Sequence, residues 1–293
     1  MASLQDIRRR IRSVKNTQQV TKAMKMISAV KLRKSQERLV ALRPYAGKML
    51  EVVRRVVSRF KGDSGIQPGS VAQAFLSPRE EQRIRVILVA SDKGLCGGFN
   101  ANVLKAAHAF VAGCTAQIVH LDVVGKRSAE WARKRGMTAA REYLNLPLTG
   151  LQPVVTEISE CAAAQYNAGE IDALYVIYNY FNSPVAQTPT VFRLFPVELE
   201  RRGEERASIE VPHLLEPDPN SVLETLLPRF VETELLRTLL ESSASEHGAR
   251  MAAMDKASNN AGDMIARLTL TMNKIRQASI TNQIIEIVSG ANA

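Results

Sequence analysis

Aromatic side chains are scarce in this sequence: one Trp, six Tyr and eight Phe make up 5% of 293 residues, and the first sixty hold only Tyr45 and Phe60. A basic segment so poor in rings lacks the stacking platform that holds single-stranded nucleic acid, and no helix-turn-helix or zinc module accompanies it. Cysteine is equally thin. Cys96, Cys114 and Cys161 lie far apart and form no CxxC pair, which argues against a disulfide framework or structural zinc and for a reducing compartment. His108, His120, His213 and His247 stand singly, with no HExxH and no nucleophile that sequence order pairs with a base. These gaps weaken any reading as an independent enzyme. No stretch reaches the roughly 20 uncharged apolar residues that cross a bilayer, and the start MASLQDIRRRIR has no apolar run behind its cations to serve as a secretory signal. The expectation is a chain without direct membrane insertion, soluble or held at a surface by a partner.

What the sequence does have is an uneven charge. The net charge is +10, yet residues 1–60 alone carry 16 Lys and Arg against Asp6, Glu37 and Glu51, while 61–220 and 221–293 are each slightly acidic. Such a stripe orients an encounter with an acidic protein surface. A merely solvated helix face is the bland alternative, and phosphate contacts by Arg8, Arg9, Arg10 and Arg12 would be the nucleic-acid one.

The same segment has strong periodicity. Leu4, Ile7, Ile11 and Val14 repeat at alternating steps of three and four, which predicts a coiled-coil seam. It continues through Val20, Met24 and Ile27, then Leu39, Leu42 and Ala46, and closes with Leu50, Val53, Val56 and Val57. Pro44 is expected to kink or break this helix. After EPDPNS, with Asn220 or Ser221 as expected N-cap, a second helix of similar length is predicted to about Ser289, with Pro228 as an early bend and Leu235, Leu239, Met254, Leu268, Ile284 and Ile287 among its apolar positions. Neither helix is stable alone in water, because helices draw most of their stability from packing an apolar face. The two ends of the chain are therefore expected to pair antiparallel.

Between them the texture alternates: apolar runs at 84–90, 116–124 and 172–181 are separated by helical stretches from about Ala101, through Trp131 and near 155–168. That is the βαβ signature of a parallel sheet covered by helices. The fold class is α/β: a long antiparallel coiled coil of the N- and C-terminal helices plus a Rossmann-like α/β middle domain. The expected divisions are a coiled-coil helix 1–60, a linker 61–83, the α/β domain 84–197, a polar connection 198–220 and a second coiled-coil helix 221–293.

The sharpest local string is SDKGLCGGFN, 91–100, placed after the first strand and before a helix, where nucleotide-binding folds put a phosphate cradle. Gly94, Gly97 and Gly98 match neither GxGxxG nor GxxxxGK[ST]. A tight structural turn, or a contact loop led by Asp92 and Lys93, fits better. The end, RQASITNQIIEIVSGANA from Arg276, has no aromatic residue and reads as a slender helix tip. From these observations alone a nucleotide-dependent Rossmann enzyme and a basic coiled-coil nucleic-acid-binding protein stay open as alternatives.

Several strings in fixed order resemble one family over essentially the whole chain: IRRRIRSVKNTQQVTKAMKMISAVKLRKSQ, SDKGLCGGFN, EPDP at 216–219, ARMAAMDKASNNAG and LTLTMNKIRQASITNQIIEIVSG. The chain resembles the γ subunit of F-type ATP synthases. The resemblance implies a non-catalytic, rotating central stalk, present once per complex, that couples proton flow through the membrane c-ring to ATP synthesis or hydrolysis at the β subunits. Its implied partners are the α and β subunits, the ε subunit and the c-ring, with ATP or ADP and Mg bound by α and β and no cofactor on this chain. Its asymmetric coiled coil would press the three catalytic β subunits in turn. By position, Met24, Lys25 and Lys31 fall where the family faces the acidic lever of β, Lys93 in the loop at the ring's mouth, Arg276, Gln277 and Thr281 at the β catch, and Glu216 at the foot on the rotor ring. Leu215 stands where some relatives place an aromatic, and 198–210 holds no cysteine, so the thiol control of chloroplast members is not expected. The start of the chain matches the family's mature start, which implies the cytoplasmic side of a bacterial plasma membrane.

Overall fold

The computed structural model describes residues 4–60, 79–197, 216 and 218–291. Most of the expected linker 61–83 and most of the polar connection 198–220, with His213 and Leu215, lie outside the described residues. The elements in chain order are α1 (Leu4–Phe60), β1 (Arg83–Val89), α2 (Phe99–Gly113), β2 (Gln117–Val124), α3 (Lys126–Lys134), β3 (Arg141–Tyr143), a single 3-10 turn at Leu148–Gly150, α4 (Leu151–Asn167), β4 (Ala173–Phe181), β5 (Gln187–Phe195) and α5 (Pro219–Ala291).

The two terminal helices run 57 and 73 residues, and each contains a proline. Contrary to the expected break, α1 continues across Pro44. The lost bond is the one to the carbonyl of Val40, and Val40 (57% exposed) and Pro44 both lie on the solvent side, where water replaces the missing donor. Pro228 is tolerated in the same way, since the residue four before it, Glu224, is exposed. The N-cap of α5 is Asp218 rather than Asn220 or Ser221. Its carboxylate accepts from the Ser221 N–H at 3.1 Å and from the Ser221 hydroxyl, and Pro219 takes the first helical position, where a missing N–H costs nothing.

The chain divides into two compact units, Met1–Val30 with Arg250–Ala293, and Lys31–Ala249. The first is an antiparallel helix pair. Gln18 Nε2 donates to the Ser258 carbonyl at 3.2 Å and Lys25 Nζ to Asp255 Oδ1 at 2.6 Å, so rising numbers on α1 meet falling numbers on α5. Its buried positions are Ile7, Thr21, Ser28, Arg250, Met254, Ser258 and Ala261. Val20 and Ile27, which apolar spacing assigns to the seam, are instead 57% and 58% exposed. The seam runs one residue later, on Thr21 and Ser28, one heptad apart; small side chains fill it, and hydrophobicity alone does not reveal it.

The second unit holds a five-stranded sheet in the order β3-β2-β1-β4-β5. Ile84, Val86 and Leu88 of β1 pack with Val103 and Ala107 of α2 and Trp131 of α3 on one face. Ile87 and Val89 face the opposite way, into a core with Val155 and Ile158 of α4, Val53 of α1 and Leu227 and Leu235 of α5. Burial on both faces is what makes Val86–Val89 of β1 an unbroken apolar run. The sheet is mixed rather than parallel, because β5 runs antiparallel to β4 after the tight turn in which the Ser183 N–H donates to Ala186 O at 3.0 Å. Pro189 within β5 is tolerated on an edge strand, whose outer side needs no ladder donor.

One polar group interrupts the α4 face. Arg85 Nε and Nη2 both reach Asp122 Oδ2, at 2.8 and 2.7 Å, with the side chains 2% and 0% exposed. Gln165 and Cys161 of α4 accept from Arg85 Nη1. Asp122 Oδ1 has no hydrogen-bond partner, and burial pushes the Asp122 carboxyl above its ordinary value although Arg85 opposes it.

Candidate functional site

The glycine-rich loop follows the buried end of β1. Ser91 is buried; its N–H donates to Asn100 Oδ1 at 3.1 Å and its hydroxyl to the Lys93 carbonyl at 2.6 Å. Asp92 turns back into the fold, where Oδ1 accepts from the backbone N–H groups of Lys126 at 3.1 Å and Asn145 at 2.9 Å. The carboxylate that leads the loop in sequence thus fixes the start of α3 and the β3 exit. Gly125, at φ 92°, has to be glycine: a Cβ there would stand 2.2 Å from Ala90 O. Lys93 and Leu95 are exposed, and Leu95 holds φ 62°, a left-handed conformation that costs an L residue energy and that the surrounding hydrogen bonds maintain.

In a doubly wound sheet a ligand binds beyond the carboxyl ends of the strands where the order reverses, here between β1 and β4. That crevice is filled by the chain itself. Cys96 and Phe99 are 2% exposed and pack on Ala249 of α5. Asn179 of β4 donates to the Phe99 carbonyl at 3.1 Å, and the Ser245 hydroxyl donates to the Asn179 carbonyl at 3.0 Å. The chain's own side chains thus stand where a doubly wound fold would seat a phosphate.

The other candidate residues are distributed over both units. In the helix pair, Met24 is half-buried and Lys25 is ion-paired to Asp255, a partner that periodicity gives no reason to single out. Arg276, Gln277 and Thr281 are exposed, and Thr281 Oγ1 donates to the Gln277 carbonyl at 3.0 Å, which puts these two one turn apart on the same face. In the second unit, Lys31, Lys93 and Glu216 are all exposed.

The helix pair also presents apolar side chains to solvent: Met26 at 70%, Val30 at 57%, Leu270 at 64%, Ile284 at 55%, Ile285 at 56% and Ile287 at 71%. Single exposed apolar residues are ordinary, whereas runs of them mark binding surfaces.

The family model described as ATP synthase matches residues 3–293. The ATP synthase gamma chain of Solibacter usitatus is 44% identical over 293 residues and that of Pelotomaculum thermopropionicum 42% over 294, each comparison covering 100% of this chain and 99% of the relative. The chain belongs to the ATP synthase gamma chain family. The gamma-chain fold also extends to distant structures. A chain in the cryo-EM structure of the Euglena gracilis mitochondrial ATP synthase, OSCP/F1/c-ring, is similar at a TM-score of 0.63 and 17% identity, over 99% of this chain and 94% of that one. A chain in the Tetrahymena thermophila mitochondrial ATP synthase central stalk/c-ring is similar at 0.56 and 23%, over 82% and 99%. No helix among the described residues is long and apolar enough to cross a membrane.

Proposed function

We propose that this gamma chain turns as a body inside the ring of α and β subunits and couples proton flow through the c-ring to the nucleotide sites of β. The observation that carries this reading is the solvent-facing apolar row of α5, from Ile280 to Val288. A helix end of that kind gains stability only inside a close-fitting sleeve. The cationic stretch of α1 meets acidic β surfaces through Met24, Lys25 and Lys31; Lys93 touches β from the glycine loop, and Arg276, Gln277 and Thr281 meet a β catch segment. Glu216 meets the c-ring, beside the ε subunit. ATP or ADP with Mg stays on α and β, and this chain binds no cofactor. The assembly carries one copy of the chain, peripheral on the cytoplasmic side of a bacterial plasma membrane. In functional terms the parts are the shaft segments 1–60 and 221–293 and the α/β part 84–197.

The mechanism is allostery by a moving contact. A partner surface shifts a β site only by interacting differently with its states, and an asymmetric helix pair presents a different face to each β as it turns. A proton crossing 100 mV releases about 2.3 kcal/mol, so the work of several must be combined and carried by a stiff element. Met24→Lys adds a cation beside Lys25, which already holds Asp255. In reconstituted vesicles it is expected to lower proton-driven ATP synthesis more than ATP hydrolysis; an equal loss of both contradicts the lever contact.

A further inference from the structure

Among the described residues two positions other than glycine hold a left-handed backbone, Leu95 at φ 62° and Asn145 at φ 53°. Asparagine visits that conformation readily, because its short polar side chain bonds locally; leucine has no such compensation. The residue that would fit there without strain is abundant nearby, at Gly94, Gly97 and Gly98. A leucine held where glycine is the default is held for its side chain. Yet that side chain does nothing for the core. It is 62% exposed and belongs to none of the buried clusters of the described residues.

The platform beneath Leu95 is tied down on both sides. Asp92 Oδ1 joins the loop to the N–H groups of Lys126 and Asn145, at 3.1 and 2.9 Å. The Arg127 N–H donates to the Ser91 carbonyl at 3.1 Å, and Cys96, next to Leu95 in sequence, is buried. Gly97 and Gly98 are exposed and carry no side chain, so a partner surface can approach the loop backbone closely. Lys93, Lys126 and Arg127 are exposed there too. Against these three cations stand two acids: Asp92, held by its two backbone donors, and Glu130, which Arg127 meets at 2.8 Å. The surface keeps a positive excess. A single exposed leucine is ordinary. One held in strain on a fixed, glycine-flanked platform beside cations has the form of an interface anchor, with an apolar group for affinity and charge to orient the encounter.

We propose that Leu95 is the apolar anchor by which the glycine loop grips an acidic segment of β, and that Lys93 and Lys126 steer that segment onto it. This rests on the reading of the chain as a shaft whose Lys93 meets β, and it adds that the loop holds backbone strain for the sake of the contact.

The test uses the chain assembled with α and β. A diazirine analogue of leucine at position 95, close to the natural side chain in size, is photolysed in the complex and the adduct is mapped. An adduct on an acidic segment of β is expected; an adduct confined to another subunit, or none, overturns the proposal. Leu95→Asn is then compared with the unsubstituted chain. Asparagine accepts the same φ, so the thermal midpoint of the chain is expected to stay or rise. The slowing of amide exchange at 94–98 on assembly is expected to fall about tenfold, the scale of losing one interface anchor. Undiminished slowing overturns the anchor, and a lowered midpoint overturns the strain. Lys126→Ala is expected to give a smaller loss that disappears at high salt, and a loss independent of salt overturns the steering. If the Asn variant does not assemble, the adduct formed by the leucine analogue decides alone. Failure of the unsubstituted chain to assemble with α and β overturns the shaft reading instead.

Discussion

The two units differ most in what their apolar residues are doing. In Lys31–Ala249, Ile87, Val155, Ile158, Leu174, Leu223 and Leu235 are all fully buried. In the helix pair the buried set is short and mostly polar, and Met26, Ile27, Leu270 and Ile287 face solvent. The larger unit builds a core although Val185 and Leu95 stay exposed, whereas the helix pair keeps few of its apolar side chains from solvent. The helices beside the sheet close on Leu39, Met49, Val53 and Val56, whereas the pair closes on Thr21, Ser28, Ser258 and Ala261. A small-residue seam brings helices close and leaves their larger side chains outside, where a sleeve can meet them.

This contrast is sharpened first at the buried ion pair. Asp122→Ala leaves Arg85 charged and unmatched in the core and is expected to cost about 3–5 kcal/mol, read from chemical denaturation of the chain. Next in size is a matched pair of truncations. Ile158→Ala opens a cavity under α4 and is expected to cost about 2–5 kcal/mol, whereas Ile284→Ala, on a 55% exposed side chain, changes free-chain stability by less than about 0.5 kcal/mol. Equal losses at the two sites would erase the distinction between the units.

The smallest effect is in pH. Burial raises the Asp122 carboxyl above its ordinary 3.8 and the Glu241 carboxyl above 4.5. A raised carboxyl contributes stability that is complete below the unfolded value and lost as pH rises through the folded one. Denaturation midpoints of the second unit should therefore contain a falling component just above those two values. Asp122→Asn should remove the Asp122 share, and an unaltered slope would count against burial as the cause.

Legibility from the amino-acid order followed the same divide. The long helices, the strands β1, β2 and β4 and the helices between them were readable because apolar period carries them. β3 was missed because three residues, REY, carry no alternation, and β5 because Pro189 and two threonines mask its pattern. The seam of the helix pair was misplaced by one residue at Val20 and Ile27, since its true occupants are Thr21 and Ser28. Pro44 was expected to interrupt α1 because a proline's cost depends on whether the freed carbonyl faces water, which order alone does not say. The glycine spacing of SDKGLCGGFN argues against a phosphate cradle and leaves a tight turn and a contact loop led by Asp92 and Lys93 both open. That Asp92 holds α3 and that Phe99 and Cys96 fill the switch-point crevice are long-range facts. Lys25 was singled out by family position, but its ion pair with Asp255 joins residues 230 apart.

The central claim is that this chain is a shaft, and rotation tests it most directly. The chain is assembled with α and β subunits, the ring is fixed to a surface, and a probe on the exposed β4–β5 turn at Val185 is watched while ATP is supplied. The account predicts unidirectional, ATP-dependent turning of the probe. A complex that hydrolyses ATP at full rate while the probe stays still would contradict it.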